Sequence, residues 1–283
     1  MPPSLVLGLA LAFAGSLALN TSYVIQHVGA AGAPEVTLRR PLASFLGLLR
    51  SRLWLVGGIA GIAGWLLHVG ALSHAPLSLA QAFSAGGLAL AVPLAARMTG
   101  RRLDLRTRRA TLLMAGGLAA LVVGAPAAHR GLASSLPSVL VFVAGVGAAV
   151  AAVATARRGP RALGLVAGGL YGVGDVATKA ATSAAHGGWP VTGLLPWAGL
   201  LAVTSVLGFF AFQRGLQLGA AVAVVALMTA TTNVVAIAGG VIGFGETLGA
   251  SPALCALHLL GLAGIVVAGW RLAPAQARLT AAA

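Results

Sequence analysis

Acid is the scarcest chemistry in this chain. Only Glu35, Asp104, Asp175 and Glu246 are acidic among 283 residues. A hard divalent cation wants six or more oxygen ligands in one place, so a dedicated all-protein cage for such an ion is excluded and no metal centre is expected. Cysteine is nearly absent too. Cys255 stands alone, which rules out an intrachain disulfide and a cysteine metal cluster; in its apolar stretch it reads as a small buried hydrophobe. No HExxH, GxSxG or phosphate-cradling P-loop occurs, so nothing here hydrolyses ATP or builds a nucleophile elbow. No catalytic constellation can be assembled. The expectation is a protein that is not an enzyme and carries no cofactor.

Charge of both kinds is thin, at 8%, where soluble domains carry about 25%. What fills the space is apolar: 59% of residues are hydrophobic. Roughly 20 apolar residues span a bilayer as a helix, and such stretches run almost end to end. The breaks between them carry Pro, Gly or charge, as in "SHAP" (73–76), "RRGPR" (157–161) and "HGGWP" (186–190). The fold class predicted is an all-α polytopic membrane protein. Nine spans are read at 4–26, 53–73, 77–97, 110–128, 136–156, 162–184, 193–213, 219–243 and 252–271. The N-terminal run lacks a basic flank, and "AGA" (31–33) is followed directly by Pro34. It is therefore read as the first span and not as a signal peptide.

The net charge of +14 does not indicate nucleic acid, because the basic residues are not clustered among aromatic platforms. They alternate by side instead. Arg39, Arg40, Arg50 and Arg52 fall in one loop. Arg97, Arg101, Arg102, Arg106, Arg108 and Arg109 fall in the next loop on that side, followed by Arg157, Arg158 and Arg161, then Arg214, then Arg271 and Arg278. The opposite side holds Arg130 and Glu246. Positive loops stay cytoplasmic. The N-terminus is thus expected outside and the C-terminus inside, in the inner or plasma membrane, which an odd number of spans requires. Segment 37–52 is too charged to cross, and its apolar middle predicts a short interfacial helix.

The chain also appears twice over. "LLHVGALSHAPLSLAQ" (66–81) lines up with "FAFQRGLQLGAAVAVV" (210–225), and "AGSLALNTSYV" (14–24) with "YGVGDVATKAA" (171–181). Spans one to four (residues 1–135) then repeat as spans six to nine (162–283). Span five and a basic cytoplasmic loop (136–161) lie between. An odd offset inverts the second copy, and inverted repeats place a substrate site at their interface.

Span six carries the chemistry. Tyr171, Asp175, Thr178, Lys179 and Thr182 fall on one helical face, with Gly164, Gly168 and Gly172 at four-residue spacing on the same stripe. Small residues so spaced let a neighbouring helix pack closely, so the stripe is expected to face protein. Lys179 is the chain's only lysine. Asp175 and Lys179 are one turn apart and predicted to pair. An ionisable residue within a span costs roughly 2.5–3.5 kcal/mol to insert and is a functional candidate by default. Further polar candidates are Ser16, Asn20, Tyr23 and His27 on span one, Trp65 and His68 on span two, Gln81 with Ser78 and Ser84 on span three, and Thr229, Thr232 and Asn233 on span eight.

"GALSHAPLSLAQAF" (70–83) and "GVIGFGETL" (240–248) resemble the repeat motifs of the drug/metabolite transporter superfamily, EamA-like group. With nine spans and "LWLVGGIAGIAGWLLHVGAL" (53–72), the chain is closest in pattern to the NIPA-like branch, whose characterised members are linked to magnesium. Trp65 and His68 stand where that branch carries an acid and an asparagine, which argues against magnesium here. The resemblance implies a gradient-driven permease that moves a small solute by alternating access, an exporter, with spans one, three, six and eight lining the path. Asp175 would be the proton- or cation-responsive group and Lys179 its partner. Competing readings are a divalent-cation transporter and a non-transporting membrane scaffold whose glycine stripe is a homodimer face. The partners expected are the lipid bilayer and a small-molecule or ion substrate, and not nucleic acid.

Overall fold

A computed structural model describes residues 3–31, 33–37, 39–86, 93, 103–123, 132–157, 159–218 and 221–280. Most of 87–97, together with Arg97, Arg101, Arg102, Arg130 and Arg158, lies outside them, as does the side chain of His27. Among the described residues the chain is all helix with no strand. The helices are α1 (Pro3–Ala31), α2 (Pro41–Leu49), α3 (Arg52–His74), α4 (Leu77–Gly86), α5 (Leu105–Val123), α6 (Leu132–Ala156), α7 (Pro160–His186), α8 (Val191–Leu218), α9 (Ala221–Ala238, widening into a π turn over Gly239–Gly243) and α10 (Pro252–Thr280).

Local chemistry sets the breaks. Ser51 caps α3 by accepting from Trp54 N at 3.3 Å. Pro41 and Pro160 open α2 and α7 at positions that need no amide proton. Between α6 and α7 the chain turns through Gly159 at φ +105°, a conformation side chains with a Cβ resist. Within the segment 37–52 a short helix forms, α2, which leaves Leu42, Phe45 and Leu46 exposed.

Among the described residues five helices are long and apolar enough to cross a membrane: α1, α3, α6, α8 and α10. Their outer faces are apolar. Leu55, Val56, Ile59, Ile62 and Leu66 on α3, Val203 and Val206 on α8, and Leu259 and Leu260 on α10 are all exposed. Exposed apolar faces of that kind fit a membrane environment. α7 is different. Gly, Thr and Ser dilute its apolarity, and fifteen of its 27 residues are buried against α3, α6, α8 and α9. It is the inner helix, which is why it tolerates charge.

Close glycine approaches fix the register. Gly15 and Gly64 meet reciprocally, with Gly8 against His74 and Gly29 against Trp54, so α1 and α3 run antiparallel along their full length. Gly117 and Gly261 meet reciprocally across antiparallel α5 and α10. On α7, Gly164 lies on Val224, Gly168 on Met228 and Thr231, and Gly172 on Thr232 and Val235, so α7 and α9 run parallel. α8 is antiparallel to α7, Gly208 seating the Tyr171 ring and Gly215 approaching Leu163. Of three apolar clusters among the described residues, two lie along α7. One gathers Leu72, Leu77, Leu79, Val176, Ala180 and Phe244 around the α3–α4 break. The other gathers Val166, Phe212, Leu216, Val224 and Met228 towards the opposite end of α7. Asp175 falls on α7 between them.

Candidate functional site

Asp175 sits where α1, α3, α4 and α7 converge. Its Oδ1 is 3.2 Å from His68 Nε2 on α3, and its Oδ2 accepts from Gln81 Nε2 on α4 at 2.6 Å. The Asp175 side chain keeps 15% of its surface and that of His68 7%, so the carboxylate is enclosed but reachable. His68 Nδ1 faces Ser84 Oγ at 3.3 Å. The Ser84 carbonyl accepts from Ser16 Oγ on α1, and Asn20 Nδ2 donates to Ser16 O at 2.9 Å and Ser16 Oγ at 3.2 Å. Tyr23 packs edge-on against Phe212, ring centroids 5.3 Å apart, and the Tyr171 ring seats on Gly208. Ser16, Asn20, His68, Gln81 and Asp175 are thus brought together, with Tyr23 and Tyr171 in the neighbouring apolar cluster.

Lys179 does not pair with Asp175, which corrects the sequence expectation. Its Nζ donates to Leu72 O at 3.0 Å and Ala75 O at 2.8 Å. The α3–α4 break leaves helix carbonyls without amide partners in a buried place, and a long lysine side chain satisfies them better than it would satisfy a carboxylate already partnered by Gln81 and His68. The amide side of the break is met by Glu246, from the loop before α10. Its Oε1 accepts from Leu77 N at 2.5 Å and its Oε2 from Ser78 N at 2.9 Å. Both charges are buried, Lys179 at 4% and Glu246 at 2% exposure. A cation at the C-terminus of one helix and an anion at the N-terminus of the next each complement the helix dipole. Lys179 and Glu246 also attract each other across the break.

At the opposite end a second polar cluster joins α1, α3 and α8. Gln213 Nε2 donates to Gln26 Oε1 at 2.8 Å, and Gln26 Nε2 to Ser22 Oγ at 2.7 Å. Ser22 Oγ donates to Gly57 O at 2.8 Å, and Trp54 Nε1 to Gln213 Oε1 at 3.4 Å. Just beyond, Gln217 straps the extended segment after α1, accepting from Val36 N at 2.8 Å and donating to Pro34 O at 3.0 Å. Arg214 meets Glu35 at 2.6 Å.

Other predicted residues lie elsewhere. Trp65 points out of the bundle at 40% exposure beside Ile62 and Leu66, away from His68. Thr178 donates to its own Gly174 carbonyl at 2.9 Å. Thr232 donates to Met228 O at 2.9 Å and reaches Gly168 O at 3.2 Å, which ties α9 to α7. Thr229 and Asn233 are half-buried on α9. The Gln26–Gln213 cluster and the capping role of Glu246 were not read from the sequence. The one signal for the latter was that Pro76, just ahead of α4, has no side-chain acceptor to cap it. Compared with family models, curated proteins and solved structures, the chain gives no match.

Proposed function

We propose that the chain is a gradient-driven permease of the drug/metabolite type that exports a small solute by alternating access. The observation that carries this reading is the Asp175 carboxylate, reachable but enclosed by side chains from α1, α3, α4 and α7. Ionisable groups so placed in a membrane bundle mark solute or ion paths. Two polar closures flank it, Lys179–Glu246 at the α3–α4 break and Gln26–Gln213–Trp54 at the other end. Alternating access needs one closure on each side of a fixed site.

The packing supports nine spans in two inverted halves. Exchanging α1 with α7, α3 with α8, α4 with α9 and α5 with α10 turns the α1–α3 pair into α7–α8, α1–α4 into α7–α9 and α1–α8 into α7–α3, all of which pack. The pairs α5–α10 and α4–α9 map onto themselves and also pack. The antiparallel and parallel registers follow the same alternation. The arginine distribution then puts the N-terminus outside and the α3–α4 break on the outer face.

A divalent cation is the weaker cargo. Asp175 Oδ2 already accepts from the Gln81 amide and Oδ1 lies 3.2 Å from a His68 ring nitrogen, where Mg²⁺ would need oxygens and water. The test is transport in proteoliposomes enclosing a pH dye, with small amines, amino acids and Mg²⁺ offered against an imposed proton gradient. Solute-dependent proton movement that Asp175→Asn abolishes is expected. Undiminished movement in a folded Asp175→Asn protein would sink the reading.

A further inference from the structure

The segment between α1 and α3 carries basic charge that nothing in the chain answers. Arg39 and Arg40 precede α2, Arg50 follows it, and Arg52 opens α3; all four are exposed. Among the described residues none of their side chains has an ion-pair or hydrogen-bond partner. The four acids are engaged elsewhere: Glu35 with Arg214, Asp104 with Thr107 N, Asp175 with Gln81, and Glu246 with the N-terminus of α4. Between the arginines, α2 has two unlike faces. The inner one is already fixed. Leu48 is buried, Gly47 passes close to the Pro34 ring, and Ser44 Oγ accepts from Thr37 N at 3.0 Å and donates to Thr37 O at 3.1 Å. The edge of Phe45 meets Trp54 and Phe209, with centroids 6.0 and 6.2 Å away. The outer face is bare, Leu42 keeping 76% and Leu46 58% of its surface.

Water disfavours the leucines and hydrocarbon disfavours the arginines, so only the boundary between them suits the whole face. The start of α3 sets its level. Arg52 is the first residue of that helix, and Leu53, Leu55 and Val56 are exposed directly after it, so the arginines stand where headgroups begin. A zwitterionic headgroup brings no net charge to them. An anionic phosphodiester does, and a guanidinium fork matches its oxygens. We propose that the outer face of α2 is a docking surface for anionic phospholipid. Arg39, Arg40, Arg50 and Arg52 hold the headgroups, and Leu42 and Leu46 sit among the upper acyl chains. A second copy of the chain fits this face poorly, because it would set four positive charges against four more. The inference rests on the spans crossing a membrane and not on transport.

The test uses the full chain in bilayers, with Cys255→Ser and a bimane label attached through Leu42→Cys. Nitroxide-labelled phosphatidylglycerol or phosphatidylcholine, added at equal mole fraction, quenches the label according to its local concentration. Quenching by the anionic lipid is expected to be several-fold stronger at Leu42. No preference is expected at Val141→Cys, on the exposed face of α6. The preference at Leu42 should fall towards one when Arg39, Arg40, Arg50 and Arg52 are all changed to Gln. It should also fall with all four arginines in place when salt rises from about 0.01 M to about 1 M, which shortens the Debye length from about 30 Å to about 3 Å. The salt series holds even if the fourfold variant does not fold. Equal quenching by the two lipids at Leu42 would overturn the proposal, as would a preference that survives both charge removal and salt. Weak quenching by either lipid would mean that another occupant, such as a second copy, covers α2, and would overturn it too.

Discussion

The side chain of Lys179 shows what spacing does and does not determine. Residues four apart on a helix can meet, and Asp175 with Lys179 fits that rule, yet each has a stronger claimant. Unpaired carbonyls at a buried helix end cost about 1–3 kcal/mol each, and Leu72 O and Ala75 O draw the ammonium away. Asp175 was legible as an intramembrane acid and His68 as a polar candidate on a separate span, but their meeting depends on how α3 packs on α7, which no local pattern encodes. Lys179→Met is expected to lower stability by about 2–6 kcal/mol, the cost of two such carbonyls, measured by thermal or denaturant unfolding in detergent. Glu246→Gln should cost a similar amount by weakening its bonds to Leu77 N and Ser78 N. The double variant should lose less than the sum, because each single change strands a buried charge that the other would have balanced. Strict additivity would show that the two caps act independently.

Among elements, α7 and α9 owe their approach to glycine. A Cβ at Gly168 would run into the Met228 carbonyl and the Thr231 side chain, both on a packed helix that cannot retreat without losing its contacts. Gly168→Leu is therefore expected to cost about 1–3 kcal/mol or more through overpacking. Gly145 and Gly147 on α6 meet nothing within 4 Å, and Gly147→Ala should be neutral or stabilising by about 0.5–1 kcal/mol through helix propensity. Thermal midpoints of the purified variants check both. The apolar helices themselves were legible, because length and hydropathy are local properties. So was the small-residue stripe of α7. The Gln26–Gln213 bond was not, since it joins residues 187 positions apart and each amide alone reads as an ordinary helix-end polar group.

For the whole molecule the consequence is mechanical. Two polar clusters lie at opposite ends of one bundle, and α7 runs from Leu163, packed near the C-terminal end of α8 by Gly215, to Lys179 at the α3–α4 break. In the proposed permease these clusters are closures that cannot both release together, so weakening one should favour opening on that side and closure on the other. The single cysteine reports the α3–α4 end. Cys255 opens α10 and packs on Gly249 in the loop that carries Glu246, its thiol 3.5 Å from the Gly249 carbonyl. When Glu246 leaves the amides of α4 that loop must shift, and Cys255 should gain access to water. Lys179→Met is expected to raise maleimide labelling of Cys255 several-fold in membranes. Gln213→Leu, which cuts the opposite cluster at its hub, should lower it. Labelling that rises in both variants would mean general loosening, and a rigid scaffold would show no change in either. Only opposite shifts fit two closures that exclude each other across a shared central site.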